Sequence, residues 1–136
     1  MAWSQYMADA LLNWMRGTTF PAVPANLYVS LHSASPAESG ANECVDATYA
    51  RVAVSTAPGS WDAPSTGGGG RTTQNAGTIT FPALTGAFTA THVGLWDASV
   101  AGNFIKAGAL TASVPFAAGE TPNFPIGALD DTELFL

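Results

Sequence analysis

The sequence predicts a mainly β fold, an antiparallel β-sandwich or jelly-roll-like barrel with one N-terminal α-helix. Short segments of alternating apolar and polar residues recur from about residue 25 onward, with Gly and Pro between them. No helical segments alternate with them, which argues against a parallel α/β sheet. The length of 136 residues fits one domain. We therefore expect a single domain over 1–136, with a helix at about 3–16 and a β module at about 25–136.

The helix is predicted from one apolar stripe. Its members recur at spacings of three and four: Trp3, Tyr6, Met7, Ala10, Leu11, Trp14 and Met15. Ser4 can cap the start of the helix, and Gly17 stands where a C-cap glycine belongs. We expect the stripe to cover an open end or face of the sheet. The alternative is that part of the stripe docks on another subunit.

The strands are predicted from period-two alternation between turn residues. They are expected at 27–31, 49–55, 78–81, 89–97, 104–110, 113–116, 123–126 and 129–136. Residues 57–76 are the least strand-like part of the chain, since they combine prolines with four consecutive glycines. Gly94 lies inside a predicted strand and indicates a bulge or a close approach of two backbones.

Charged residues are few, at 10% of the chain, and the formal net charge is −6. The basic residues are scattered singly as Arg16, Arg51, Arg71 and Lys106. A protein that neutralises phosphates needs several of them on one face, so we expect no nucleic-acid partner. No apolar run approaches the roughly 20 residues that span a bilayer, so we expect no membrane partner. A surface of small, weakly polar side chains loses little solvation when a protein covers it, which favours protein contact.

Residues suited to catalysis are scarce. His32 and His92 lie within or at the end of predicted strands, and we expect both to be structural histidines bonded to the backbone. Asp130 and Asp131 are adjacent and point in different directions on an extended chain, unlike the facing carboxylates of a glycosidase. We therefore expect no enzymatic activity and no catalytic residues.

Metal and cofactor sites are not predicted either. Glu38, Glu43 and Asp46 share one loop, but their spacing matches no calcium loop, and we expect solvated acids. Cys44 is the single cysteine, so no internal disulfide and no zinc motif is available. We expect Arg51 to pair with a carboxylate such as Asp97.

The glycine run does not match a phosphate-binding loop. Gly67, Gly68, Gly69 and Gly70 precede Arg71, but neither GxxxxGK[ST] nor GxGxxG is present. A flexible loop is expected there. Such a loop can adapt to a neighbouring protein surface.

The order of the motifs resembles that of small bacteriophage virion proteins. The motifs are LYVSLH at 27–32, a loop at 36–40, YAR at 49–51, an asparagine before a strand at 75–81, THVGLWDA at 91–98, GNF at 102–104 and GE at 119–120. Proteins of this family are often labelled tail fibre proteins, and some resemble capsid decoration, or cement, proteins. The resemblance covers nearly the whole chain and is weakest at 61–71. It implies a β-sandwich module that binds on a phage particle, without catalytic residues.

Among such proteins, we expect a capsid decoration protein bound to the outside of the head, with the major capsid protein as its partner. The low charge, the single domain and the lack of a rod-like or repeat segment favour it. A trimer is the natural arrangement, because closed symmetry repeats each contact. No signal peptide is visible, so we expect synthesis in the host cytoplasm and a final place on the capsid surface. The alternative is a tail-fibre or receptor-binding module with an exposed aromatic such as Trp61.

Position and composition also predict which residues contact the partner. They are Trp3, Tyr6, Trp61, Gly67, Gly68, Gly69, Gly70 and Arg71. The irregular loop at 33–48 is a further candidate for contact, because long loops within a compact fold are often functional.

Overall fold

The structure, a computed structural model, describes residues 1–134. Its helix α1 spans Gln5–Met15. The strands are β1 (Ala2–Trp3), β2 (Asn26–His32), β3 (Val52–Ser55), β4 (Ser65–Gly67), β5 (Gly70–Gln74), β6 (Ile79–Thr80), β7 (Phe88–Trp96), β8 (Phe104–Phe116), β9 (Asn123–Phe124) and β10 (Asp130–Leu134). The last predicted strand extended to residue 136, and its final two residues lie outside the described part.

The strands form antiparallel sheets. A five-stranded sheet has the order β1, β8, β7, β2, β3, a three-stranded sheet has the order β10, β5, β4, and β6 pairs with β9. The arrangement is sandwich-like, with one helix near the N-terminus. The predicted fold class is therefore confirmed.

The core lies on one face of the five-stranded sheet. Val29 and Leu31 of β2 stand opposite Leu95 and Val93 of β7, so the four side chains share that face. All four are buried, and they pack with buried apolar residues from the smaller sheets and the connecting segments: Ile79, Phe81, Leu84, Phe124 and Leu129. Burial of these apolar side chains is the main favourable contribution to folding.

Helix α1 has the predicted cap residues, but Trp3, predicted as a member of the helical stripe, lies in β1. Ser4 Oγ accepts a hydrogen bond from the Met7 backbone N–H at 3.3 Å, and Gly17 follows the helix with a φ of 85°. However, no residue of α1 is buried. The expectation that the whole stripe covers the sheet is wrong. The main strand contacts of α1 are with β1 and β8, and Leu12, Trp14 and Met15 in the second half of the helix stay mostly exposed.

The glycine run is part of a β-hairpin. β4 and β5 pair antiparallel, and Gly68 and Gly69 form the connection with φ values of 57° and 82°. Two positive φ angles are typical of a type I′ hairpin turn, which other residues rarely form without strain. The prediction of a flexible loop without strand character is therefore wrong here.

β8 combines two strands that the sequence predicted separately. Its pairing with β7 shifts register between Ala90 and His92, so residues 110–113 of β8 stand opposite the single residue Thr91. Such an irregularity bends the strand. It explains why the alternation of apolar and polar residues is interrupted in the sequence.

Candidate functional site

A groove of about 330 Å³ opens beside the start of α1. Its lining is almost entirely apolar and comes from α1, from residues 20–24 and from both larger sheets. The large side chains in it include Trp3, Tyr6, Met7, Trp61, Leu95 and Ile105. A concave apolar surface of this size is typical of a binding site.

Lys106 and Asp131 form an ion pair at the groove. Lys106 is buried, and its Nζ lies 2.6 Å from Asp131 Oδ2 and 3.7 Å from the centroid of the Trp3 ring. Burial lowers the pKa of Lys106, and the hydrogen bond to Asp131 acts in the opposite direction. The lysine therefore holds Trp3, and with it β1, against β10.

The end of α1 projects as a second apolar feature, the helix tip. It consists of Leu11, Leu12, Trp14 and Met15, whose exposed fractions are 40%, 61%, 62% and 76%. Phe20 connects the tip to the groove, because it lines the groove and also a shallow pocket beside Trp14. We call the groove, the helix tip, Phe20 and Val23 together the N-terminal apolar surface. Contiguous apolar patches of this kind mark interaction sites.

The opposite face of the five-stranded sheet carries a buried polar chain. Trp96 Nε1 donates to Ser30 Oγ at 2.9 Å, and Ser30 Oγ lies 2.7 Å from His32 Nε2. His32 Nδ1 donates to the Ala41 carbonyl at 2.7 Å, which leaves Nε2 as the acceptor for Ser30. Burial lowers the pKa of His32. The prediction of a structural histidine is confirmed for His32, since it is fully buried and bonded to the backbone.

Ser30 and His32 have the contact distance of a nucleophile and its base, but not the surroundings. Both are fully buried. A Cβ at Gly94 would lie 2.7 Å from Ser30 Oγ and 2.8 Å from His32 Nε2, so the backbone of β7 leaves no space for a substrate. His92 stands across from His32 and has its Nδ1 2.8 Å from Thr91 Oγ1. Among residues 1–134, no group of three or more His, Cys, Asp or Glu side chains is placed to hold a metal ion.

Arg51 holds the loop at 33–48 against this face of the sheet. Its guanidinium makes two 2.8 Å hydrogen bonds to the Glu43 carboxylate and lies 3.6 Å from the Trp96 ring centroid. It also donates to the carbonyls of Ala98 and Ala101. The predicted partner Asp97 is wrong. Asp97 instead accepts hydrogen bonds from the backbone and side chain of Asn103, each at 2.7 Å.

The acids expected to be solvated are also engaged, except Glu38, which is exposed. Asp46 accepts from backbone or hydroxyl groups of Thr48, Thr85 and Gly86, and these bonds hold the pKa of its carboxyl well below the usual range. It thereby ties the loop to the segment before β7. Burial raises the pKa of the nearby Cys44 thiol to about 11, as expected for an inert, structural cysteine.

The predicted contact residues fall into two groups. Trp3, Tyr6 and Trp61 meet in the groove although they are far apart in sequence. Gly67, Gly68, Gly69, Gly70 and Arg71 lie instead on the β4–β5 hairpin. Arg71 donates to Thr66 Oγ1 on β4 and to the carbonyl of Pro64, which directly precedes β4. Their role in binding stays a prediction.

Sequence reasoning missed three members of the N-terminal apolar surface. Leu12 lies off the helical stripe, and Phe20 and Val23 lie among prolines that indicated only a turn. The one available signal was the concentration of large apolar residues within the first 23 positions.

The chain was also compared with known proteins. A family model described as podophage GP4 fiber I protein gp80 matches residues 2–132, which include α1, the groove and nearly all strands. No curated protein matches the chain, and no helix of the described residues could cross a membrane. The match confirms the resemblance to small phage virion proteins with a tail-fibre label. The chain therefore belongs to the podophage GP4 fiber I protein gp80 family and is a phage virion structural protein.

Proposed function

We propose that this protein is a non-catalytic subunit of the phage fibre apparatus that assembles by protein–protein contact through its N-terminal apolar surface. The family description supports the fibre placement. The observation that supports this contact is the helix tip, where Trp14 and Met15 are mostly exposed although such large apolar side chains are usually buried.

Burial of the tip supplies the driving force. Complete burial of one large apolar side chain is worth about 1.5–3 kcal/mol. Four such side chains stand together at the end of a short helix, and their exposed fractions equal a little more than two fully exposed side chains, so a partner that covers them gains about twice this amount. The low charge of the chain, 10% of residues, keeps the desolvation cost of the contact small.

The absence of catalysis is part of the proposal. It is supported by the sealed environment of Ser30 and His32 and by the hydrogen bonds that occupy Glu43 and Asp46. None of these groups faces the groove. The groove itself presents apolar side chains, which suit recognition of a protein surface.

Capsid decoration is the second candidate. The low charge favours it, and so does the lack of a rod-like segment among residues 1–134. In that case the major capsid protein is the partner, and trimers at local three-fold positions are expected. Binding to many assembled sites would then stabilise the shell by RT ln(1 + [L]/Kd) for each site.

Fractionated particles distinguish the two candidates. Tailless heads and isolated tails are purified from the same lysate, and the protein is quantified in each by mass spectrometry. The fibre proposal expects recovery with tails. Recovery with tailless heads alone would overturn the fibre placement and support decoration.

Virion incorporation tests the surface. The double substitution Trp14→Ser/Met15→Ser is expected to lower the amount of protein in purified virions at least tenfold, because it removes the apolar contact. The matched control is Val45→Ser/Val100→Ser, which changes two side chains that are 98% and 81% exposed elsewhere on the molecule. Equal incorporation of the tip variant and the wild type would contradict the proposal.

A further inference from the structure

We propose that the groove of one copy receives the helix tip of a second copy of this chain. The inference rests on the proposed function, because it names the partner of the N-terminal apolar surface. The inference follows from the exposed helix tip and the apolar groove, which occur together on one chain.

The tip cannot fill the groove of its own chain. Tyr6 lines the groove, and Trp14 lies eight residues further along the same helix, about 12 Å at a rise of 1.5 Å per residue. Trp14 instead borders a separate shallow pocket formed by residues 17–20. A helix tip that enters the groove must therefore come from another molecule.

The size of the groove suits the tip. A cavity of about 150 Å³ holds one benzene molecule, and the groove is about 330 Å³. It thus has space for about two ring-sized groups, such as the ends of Trp14 and Met15. Both sides of the contact are apolar, so neither has to give up strong hydration.

The exposed area agrees with a stable interface. The exposed fractions of the tip, Trp3, Phe20 and Val23 together equal about four fully exposed large side chains. At roughly 150–250 Å² for each, this is on the order of 700 Å². A standard protein interface buries about 800 Å² on each partner.

Charge also favours a second copy over a charged partner. The tip carries no charged side chain, and at the groove Lys106 pairs with Asp131 while Asp97 is bonded to Asn103. Two copies, each with a net charge of −6, therefore meet through their uncharged parts. Added salt screens the remaining repulsion, so self-association should persist or strengthen at high ionic strength.

The contact joins two different patches of the same chain. In a two-fold dimer each copy places its tip in the groove of the other, and in a head-to-tail ring each tip enters the groove of the next copy, so both arrangements leave no patch uncovered. The purified full-length chain is therefore expected to be oligomeric between 1 and 100 μM by size-exclusion chromatography with light scattering, in low salt and in 0.5 M NaCl.

Complementary variants test the pairing. Trp14→Ser/Met15→Ser removes the tip, and Ala22→Arg places a charge on the groove wall; Val23→Arg replaces it if Ala22→Arg does not fold. Each variant alone should be monomeric, whereas Val45→Ser/Val100→Ser should remain oligomeric. An equimolar mixture of the tip variant and the groove variant should form a 1:1 heterodimer, because one intact tip meets one intact groove.

Three results would overturn the inference. They are a monomeric wild type at 100 μM, an oligomer that survives loss of the tip, and a mixture of variants that stays monomeric. If the wild type is monomeric but loss of the tip still prevents virion incorporation, the proposed function stands with another partner. If oligomers form but the tip variant enters virions normally, the self-contact stands and the proposed function falls.

Discussion

Gly94 and Gly40 are the two glycines at which an added Cβ would approach the side chains of the polar face most closely. A Cβ at Gly94 would lie 2.7 Å from both Phe104 Cε2 and Ser30 Oγ, and 2.8 Å from His32 Nε2. Real Cβ atoms do not approach other atoms so closely, and the neighbours here are buried. The hydrogen-bond chain from Trp96 to His32 therefore requires a glycine on the adjacent strand.

We expect Gly94→Ala to lower the free energy of unfolding by about 2–3 kcal/mol, since the added methyl group overpacks a filled site. Urea denaturation measures the change. The matched control is Gly77→Ala, where a Cβ meets nothing within 4 Å and the φ angle is ordinary. That control should change stability by less than about 1 kcal/mol. Equal effects of the two substitutions would contradict the packing argument.

For single residues, the sequence predicts the role of Gly94 but not the partner of Arg51. The close approach at Gly94 is predictable because glycine in a strand interior usually has that cause. The partner of Arg51 is not, because a long side chain can reach several carboxylates and the conformation of the loop decides between them. Glu43 is in reach only because residues 33–48 fold back over Trp96.

Among the elements, the β4–β5 hairpin differs most from expectation. Four glycines indicated flexibility, yet two of them have the positive φ angles of a tight turn. The hairpin is extended by β10, which pairs along the whole of β5. Pairing with a strand some 60 residues away gives these weakly strand-forming residues their conformation, and no local pattern contains that information.

The turn of the β4–β5 hairpin should respond differently to substitutions at its two central glycines. Gly69→Val should destabilise the protein by about 1–2 kcal/mol, because a β-branched residue is strained at a φ of 82°. Gly68→Asn should cost much less, since asparagine tolerates a φ near 57°. Thermal unfolding of both variants checks the order. A flexible loop would instead accept both changes equally.

Helix α1 shows what the spacing of apolar residues can predict and what it cannot. Its ends and its stripe follow from Ser4, Gly17 and the spacing of apolar residues. Periodicity identifies which side of a helix is apolar, but not whether the covering surface belongs to the same chain. The alternative of docking on another subunit is the one that the exposed tip favours.

For the whole molecule, the fold class follows from the pattern of short strands and turns. The strand order does not, because pairing β1 with β8 joins residues about 100 positions apart. The groove depends on that pairing, since Trp3 of β1 and Lys106 of β8 both line it. The sequence therefore does not predict the groove, although it predicts contact roles for Trp3, Tyr6 and Trp61, which line it.

Global stability should depend on pH through His32. The imidazole is neutral in the fold, and its pKa is lowered from 6.5 by burial. Its contribution to stability is fully present above pH 6.5 and is lost as the pH falls below it, because the unfolded chain then binds a proton that the folded chain excludes. The loss is at most about 1.4 kcal/mol per pH unit.

Urea denaturation at pH 7.5, 6.5 and 5.5 measures this loss, all above the usual titration range of carboxylates. The variant His32→Gln should be less stable at pH 7.5 but should show a flatter pH profile. Parallel profiles would show that His32 does not determine the pH dependence.

β1 has β8 as its neighbour in the sheet, and it emerges from the ribosome long before that neighbour. Roughly 100 further residues must be translated, which takes about 5–20 s at 5–20 residues per second. During this interval Trp3 cannot contact Lys106, and α1 cannot pack against β8. Nascent chains on one polysome therefore expose the apolar residues of β1 and α1 to one another until β8 has been translated.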